Sequence, residues 1–500
     1  LIEWPHWLVI VVLAPIIGAV LTPVVSLRDR RVAPWFALVI MTVTSVAAAF
    51  LTVRVAQTGP FSYPLGAWIP PYGIELRFDE FGAAISVICL VGWLAILCSV
   101  HYTEWLRELA KSRIPYYYAL MLLNLGGMIG FTITGDLFNL FVFLEILSLS
   151  GYALVAVSGE RTAEMAAFKY LLMGAISSLM VLFSVGALFG ITGSLNMVDV
   201  TTRLASVPVD AKMPAVLALG AFTIGFMVKA AIFPVHVWLP DAHAIAPSPI
   251  SAVLSGLVVK VGIIGMLRVY QMYYGSGILD LAVLNTVLLW LGAISIVMGA
   301  FFAVFQDDIK LMLAYSTISN IGYIVMGLGL SSNLSVIGGS VHVFNHALIK
   351  ATLFFAAGAY IYRTGYRTLT DLRGVGRSMP MTSIALSIGA ISIVGIPPTA
   401  GFLCKWYIAL GAFEADRPFF GFALIFGALL IFVYYIRMVN AFYFQEPIHK
   451  EVLRVEEAPL TMLGPTLLLA ALCLIMGILG RIPLSFIEPA VLRMLAPLGG

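Results

Sequence analysis

Charge is scarce in this sequence. Only 11% of its 500 residues are charged, 61% are hydrophobic, and the mean hydropathy is +1.02. Soluble domains carry about 25% charged residues, so a large soluble core is excluded and a polytopic membrane protein is read instead. Cysteine is nearly absent too. Cys89, Cys98, Cys404 and Cys473 all lie in apolar segments and none forms a C-x-x-C pair, which removes iron–sulfur, zinc-ribbon and thioredoxin-like readings. There is no G-x-x-x-x-G-K-[ST] loop, no dinucleotide glycine fingerprint after a strand, and no soluble stretch long enough for nucleotide chemistry. No cofactor is therefore expected, and uphill work has to be driven by an ion gradient or another subunit. The net charge of +3 is scattered, with no basic run suited to nucleic acid. The segment around Trp7–Val25 lacks a basic n-region and a small-residue cleavage site, and reads as a retained span.

What is present is a series of apolar runs. Windows bounded by charge, Gly or Pro give about fourteen transmembrane helices: 6–26, 34–56, 79–101, 115–133, 136–156, 164–190, 212–238, 248–272, 279–304, 309–329, 337–362, 381–411, 419–443 and 460–480. The fold class is thus an all-α polytopic membrane protein. Loops after odd-numbered helices carry more basic residues, among them Arg28, Arg30, Arg31, Arg107, Lys111, Arg113, Lys310, Arg363 and Arg367. The positive-inside rule then puts both termini outside.

The seventh and twelfth spans read as broken. One runs from Lys229 through Pro234, His236 and Pro240 to Asp241; the other holds Gly395, Pro397, Pro398 and Gly401 before Lys405. Proline removes a backbone donor, and free backbone is tolerated in lipid only where protein or a water-lined cavity receives it. The breaks fall five helices apart, so helices 4–8 and 9–13 form two five-helix units of opposite topology, an inverted repeat. The expected divisions are 1–114 (three helices), 115–272 (first repeat), 273–445 (inverted second repeat) and 446–500 (the last helix). Two ordinary proline kinks are the plainer alternative.

Glu145, Lys229, Lys260, Lys350 and Lys405 interrupt these runs. Each costs about 2.5–3.5 kcal/mol at mid-helix on an insertion scale, which favours a path for charge over an anchor; structural ion pairs are the alternative. Lys229 is the most economical partner for Glu145, since opposite charges attract strongly once water is excluded. A lysine with a movable carboxylate partner can be switched between charged and neutral, as a proton relay requires. His342, His346 and Lys350 recur every four positions along one helical face. The histidine pair lacks the Glu of H-E-x-x-H and no further ligand is evident, so no metal site is assigned; satisfied core histidines compete with a proton-conducting face, which histidine titration near neutrality suits. His236, Asp241, His243 and Ser316 are candidates for a water-filled entrance, or for packing. Asp136 reads as a helix cap, with a cation site as the lesser option. Gly126 and Gly130 match G-x-x-x-G, a helix-packing pattern.

Four stretches together resemble one family: Gly135–Glu145 (Gly-Asp-Leu-Phe-Asn-Leu-Phe-Val-Phe-Leu-Glu), Lys229–His243, Asp308–Gly322 and His342–Lys350. They are similar to the antiporter-like subunits shared by Mrp-type sodium/proton antiporters, respiratory complex I and membrane-bound hydrogenases. Within that family, Gly66–Gly73 and the Gly135–Glu145 wording lean toward the D-type members of the Mrp branch, and Lys405 stands where one complex I relative has Glu. The resemblance implies proton transfer by Glu145, Lys229, Lys260, His342, His346, Lys350 and Lys405. It also implies coupling to sodium and a hetero-oligomeric complex of membrane subunits in a bacterial or archaeal cell membrane. A proton-pumping subunit of complex I or of a hydrogenase is the rival reading, and a purely structural membrane arm a third.

Overall fold

The structure is a computed structural model; it describes residues 6–105, 111–208 and 212–495, so Arg107 lies outside the described residues. The chain opens with α1 (Trp7–Val25) and α2 (Val32–Thr58), then departs from the all-helical expectation. β1 (Phe61–Pro64) and β2 (Glu75–Phe78) form an antiparallel hairpin with Phe61 opposite Phe78, their rings stacked at 5.5 Å. The hairpin and the turn after it delay α3 (Ala84–Trp105), which starts later than expected.

There follow α4 (Ile114–Ile133), α5 (Leu137–Val155), α6 (Arg161–Thr192), the short α7 (Met197–Leu204), α8 (Lys212–Lys229) and α9 (Trp238–Ile245). Helix α10 (Ser248–Val253) passes through a π turn at Leu254–Val258 into α11 (Val259–Ser276). The second half comprises α12 (Ala282–Val304), α13 (Ile309–Leu330), α14 (Asn333–Thr364), α15 (Val375–Ser378), α16 (Pro380–Val394), α17 (Ala400–Glu414) and α18 (Pro418–Tyr443). The chain ends on α19 (Leu460–Ile478) and α20 (Arg481–Leu495). Among the described residues, 12 helices are long and apolar enough to cross a membrane. With α14, whose apolar run is diluted by His342, Asn345, His346 and Lys350, and the broken pair α16–α17, they coincide with the fourteen spans read from sequence. Neither α7 nor α20 was expected; both are short and amphipathic.

Local sequence sets these ends. Asp136 caps α5 by accepting from the Asn139 amide at 2.7 Å, and Asp308 caps α13 by accepting from the Lys310 and Leu311 amides. The two caps are placed alike. Asp136 bridges to Asn196 beyond α6, Asp308 bridges to Thr368 beyond α14, and α6 and α14 are both 32 residues long. Gly126 and Gly130 let α4 approach α1 and α5, since an added Cβ would meet Ile16 at 2.9 Å and Phe143 at 2.3 Å.

Both expected breaks are present. After Lys229 the chain leaves the helix until Trp238, whose indole donates to the freed Val228 carbonyl at 2.8 Å, while the Phe233 amide donates to Ser295 Oγ on α12 at 3.0 Å. After Val394, Gly395 turns left-handed (φ 91°) and α17 begins at Ala400. Here the two half-helices touch: a Cβ on Gly401 would lie 1.8 Å from the Ser392 carbonyl oxygen. The core runs along α10, α11, α13 and α14, which are almost wholly buried, whereas α1, α2, α18 and α19 turn apolar faces outward.

Candidate proton path

Each buried lysine rests on neutral oxygen. Lys229, at the last turn of α8, donates to Ser148 Oγ on α5 at 2.7 Å and lies 5.5 Å and 5.9 Å from the ring centroids of Tyr170 and Tyr152. The expected Glu145–Lys229 ion pair is not formed. Glu145 sits one turn before Ser148, near enough to interact with the Lys229 charge, but its Oε1 is buried without a hydrogen-bond partner. The lysine donates to Ser148 instead, whose own hydroxyl donates to the Leu144 carbonyl at 2.5 Å and so keeps its lone pairs free to accept.

Lys260 follows the π turn in the α10–α11 rod. A π turn interrupts the helical hydrogen-bond ladder, and Lys260 Nζ donates at 2.5 Å to the Ser255 carbonyl there. Lys350 on α14 donates to the Leu313 carbonyl at 2.9 Å and to Ser316 Oγ at 2.8 Å; Ser316 in turn contacts Tyr435 Oη at 3.2 Å. Lys405 on α17 donates to the Ile393 and Val394 carbonyls at 2.7 and 3.1 Å, the acceptors that the break in the helix leaves free. Its ammonium also lies 4.3 Å from the Tyr323 ring centroid.

His342 and His346 stack at 5.4 Å with nearly parallel rings, and none of their four ring nitrogens has a hydrogen-bond partner among the described residues. They lie within charge-interaction range of Lys260 and Lys405, as Lys350 does of Lys260. The structure thus brings Lys260, His342, His346, Lys350 and Lys405 into one neighbourhood, with Glu145 and Lys229 as a second group.

The entrance candidates divide. His243 is fully buried, stacked on Phe354 at 5.0 Å, with both ring nitrogens unpartnered among the described residues. His236 is nearly buried against Phe233. Asp241 is instead on the surface, paired with Lys169 at 2.6 Å. Asp136 has its carboxylate on the α5 amide described above. Among the described residues no group of three or more His, Cys, Asp or Glu is placed to hold a metal.

Three features escaped sequence reasoning. Lys310, assigned above to a basic loop, is buried in the first turn of α13 and donates to the Ala246 carbonyl; it escaped because the neighbouring Asp307 and Asp308 make it look like part of a charged turn. Arg268 and Asp79 form a buried ion pair, with Arg268 also donating to the Thr132 carbonyl at 3.1 Å. Asp79 lies in the turn before α3, outside the spanning helix; burial pushes its carboxyl up, but the Arg268 charge and hydrogen bonds, with the Gly82 amide and Arg77, outweigh burial and hold it below the usual value. The third is Ser148, whose hydroxyl falls on the lysine side of α5 only once α8 is placed.

A family model described as NADH:quinone oxidoreductase/Mrp antiporter, transmembrane, matches residues 134–431, which hold both breaks and all the buried lysines above. The chain belongs to the NADH:quinone oxidoreductase/Mrp antiporter family. Among relatives in this family, the N-type subunit of the NADH-quinone oxidoreductase of Desulforudis audaxviator is 36% identical over 450 residues, covering 88% of each chain. The D-type subunit of the Na(+)/H(+) antiporter of Alkalihalophilus pseudofirmus is 31% identical over 450 residues, covering 90% of this chain and 88% of that one. A chain of the Mrp complex from Dietzia sp. superposes with a TM-score of 0.88 at 23% identity, covering 99% of this chain and 98% of that one. A chain of an archaeal membrane-bound sulfane sulfur reductase gives the same TM-score at 30% identity, covering 98% and 97%. This family member is therefore an antiporter-like membrane subunit of the kind found in Mrp and respiratory complexes.

Proposed function

We propose that this chain moves protons laterally through the membrane along Glu145, Lys229, Lys260, the α14 face of Lys350, His346 and His342, and Lys405. In our reading it does so as the ion-translocating subunit of an Mrp-type sodium/proton antiporter. The observation that carries the proposal is the seating of the buried lysines on serine hydroxyls and backbone carbonyls. An ammonium on neutral oxygens has no carboxylate to hold it charged, so it can pass a proton on without breaking an ion pair. Neighbouring helix axes lie about 8–10 Å apart, so transfer between members needs side-chain motion or intervening water.

The likeness of α5–α6 to α13–α14 in cap, bridge and length supports the inverted-repeat division at 115–272 and 273–445. In this reading both termini lie outside the cell membrane, and the chain works beside other membrane subunits. The test is sodium-driven proton exchange in vesicles holding the complete complex with Lys229→Ala; unchanged exchange at normal assembly would refute the relay.

A second reading makes the same path a proton pump in a quinone-linked or hydrogen-evolving complex. It is favoured by the 36% identity to a protein named as part of an NADH-quinone oxidoreductase. The subunits that co-purify with the chain separate the two: small antiporter subunits support the first, redox subunits the second.

A further inference from the structure

An aromatic ring to which the relay gives no role contacts both Lys405 and His342. Tyr323, on α13, is fully buried. Its ring face takes the Lys405 ammonium at 4.3 Å from the centroid, well inside the roughly 6 Å reach of a cation–π contact. The same ring meets His342 at 6.3 Å between centroids and 68° between planes, an edge-on approach.

The ring is fixed in that place. Its hydroxyl donates to the Leu424 carbonyl on α18 at 3.1 Å, and its tip packs against Gly427, where a Cβ would come within 2.9 Å of the hydroxyl oxygen and 2.1 Å of Ile296. Lys405 otherwise has two carbonyls and no carboxylate among the described residues. The first half of the chain shows a related arrangement, with Lys229 beside Tyr170, whose ring is stacked on Trp238 at 4.1 Å.

We propose that Tyr323 is a positioning residue for the last transfer of the path: its ring face seats the protonated Lys405 amine beside His342. Resting on the relay reading above, the inference adds a requirement for ring electrons at position 323. A proton leaving the histidine pair reaches Lys405 when the amine swings off the ring, and the ring recovers the amine once it is charged. Dispersion and volume alone give no such preference for the charged form.

The test separates ring electronics from ring size. Proton movement is measured in vesicles containing the assembled complex under its own driver, with Tyr323→Phe, with pentafluorophenylalanine at position 323, and with Tyr323→Leu. Phenylalanine keeps the negative ring face and should retain most of the rate. Pentafluorophenylalanine fills nearly the same space with the face polarity reversed, and should lower the rate about tenfold or more, the equivalent of a desolvated cation–π contact. Leucine should fall with it. Equal rates for the phenylalanine and pentafluorophenylalanine forms would overturn the proposal. Lys405→Ala in the same vesicles separates the two ideas. If it abolishes movement while fluorination has no effect, the seat is wrong and the relay stands; if it too leaves the rate intact, the relay falls and the seat with it.

Discussion

Ser148→Ala removes one oxygen atom, and that atom is the hydrogen-bond acceptor of the Lys229 ammonium among the described residues. Hydrogen bonds to charged groups contribute about 1.5–3 kcal/mol, which is about 10- to 150-fold in an equilibrium. On the proposed mechanism that margin keeps Lys229 on the serine and off Glu145, whose Oε1 is unpartnered one helical turn along α5. Without the hydroxyl, the lysine should move to the carboxylate and stay there, because a desolvated ion pair is costly to separate. Exchange in vesicles containing the assembled complex should fall about tenfold or more, and Ser148→Thr, which restores the hydroxyl, should recover it. Infrared difference spectra should show a perturbed carboxylate band in Ser148→Ala that disappears with Glu145→Gln added. Native exchange in a normally assembled Ser148→Ala complex would refute the view that the neutral seat at Lys229 is part of the mechanism.

Three further perturbations follow from the geometry. Asp79→Asn leaves Arg268 as a buried unpaired charge and should cost about 3–5 kcal/mol, read as a lower thermal midpoint, with Asp79→Leu plus Arg268→Leu recovering most of it. Because the folded carboxyl is held below its ordinary value of 3.8, its stabilisation is complete above that pH and lost as pH falls through the lowered value, so native and Asp79→Asn midpoints should converge only in that acid range. Gly401→Ala would drive a methyl group into the Ser392 carbonyl at the α16–α17 break. It should cost about 1–3 kcal/mol and disturb the carbonyl seat of Lys405, so an unchanged midpoint and native exchange would contradict the packing described. Ser316→Ala should slow exchange less than Lys350→Met does, because the Leu313 carbonyl remains as an acceptor; equal losses would make Ser316 more than a second acceptor.

The spans and the intramembrane lysines were legible because each is a local signal: one charge in an apolar run is conspicuous without any neighbour. Both breaks were legible for the same reason, since proline and glycine act on the backbone where they stand. Partners were not. Glu145 and Lys229 are opposite in sign and on expected neighbouring helices, yet a serine one turn away takes the amine, and helix rotation and side-chain reach decide that. Arg268 and Asp79 are separated by 189 positions, so nothing local to either announces the pair. Lys310 was hidden by its neighbours Asp307 and Asp308, which made a buried amine look like a charged turn. The hairpin was missed because Phe61–Pro64 and Glu75–Phe78 are only four residues each, too short for alternation to stand out, and α20 because Pro483 and Pro489 interrupt a helix that lies among others instead of crossing alone.

If Lys405 ends the proposed path, its carbonyl seat ties proton transfer to backbone shape. Its two acceptors exist because α16 stops at Val394. If the α16–α17 joint bent or straightened by a fraction of a turn, those oxygens would re-enter a helical ladder or rotate away, and the amine would lose its berth without any side chain changing identity. On the proposed relay, the joint would turn a bend in the backbone into a change in how firmly Lys405 holds its proton. A neighbouring subunit that pushed on either half-helix could open or close the end of the path without touching a single titratable group.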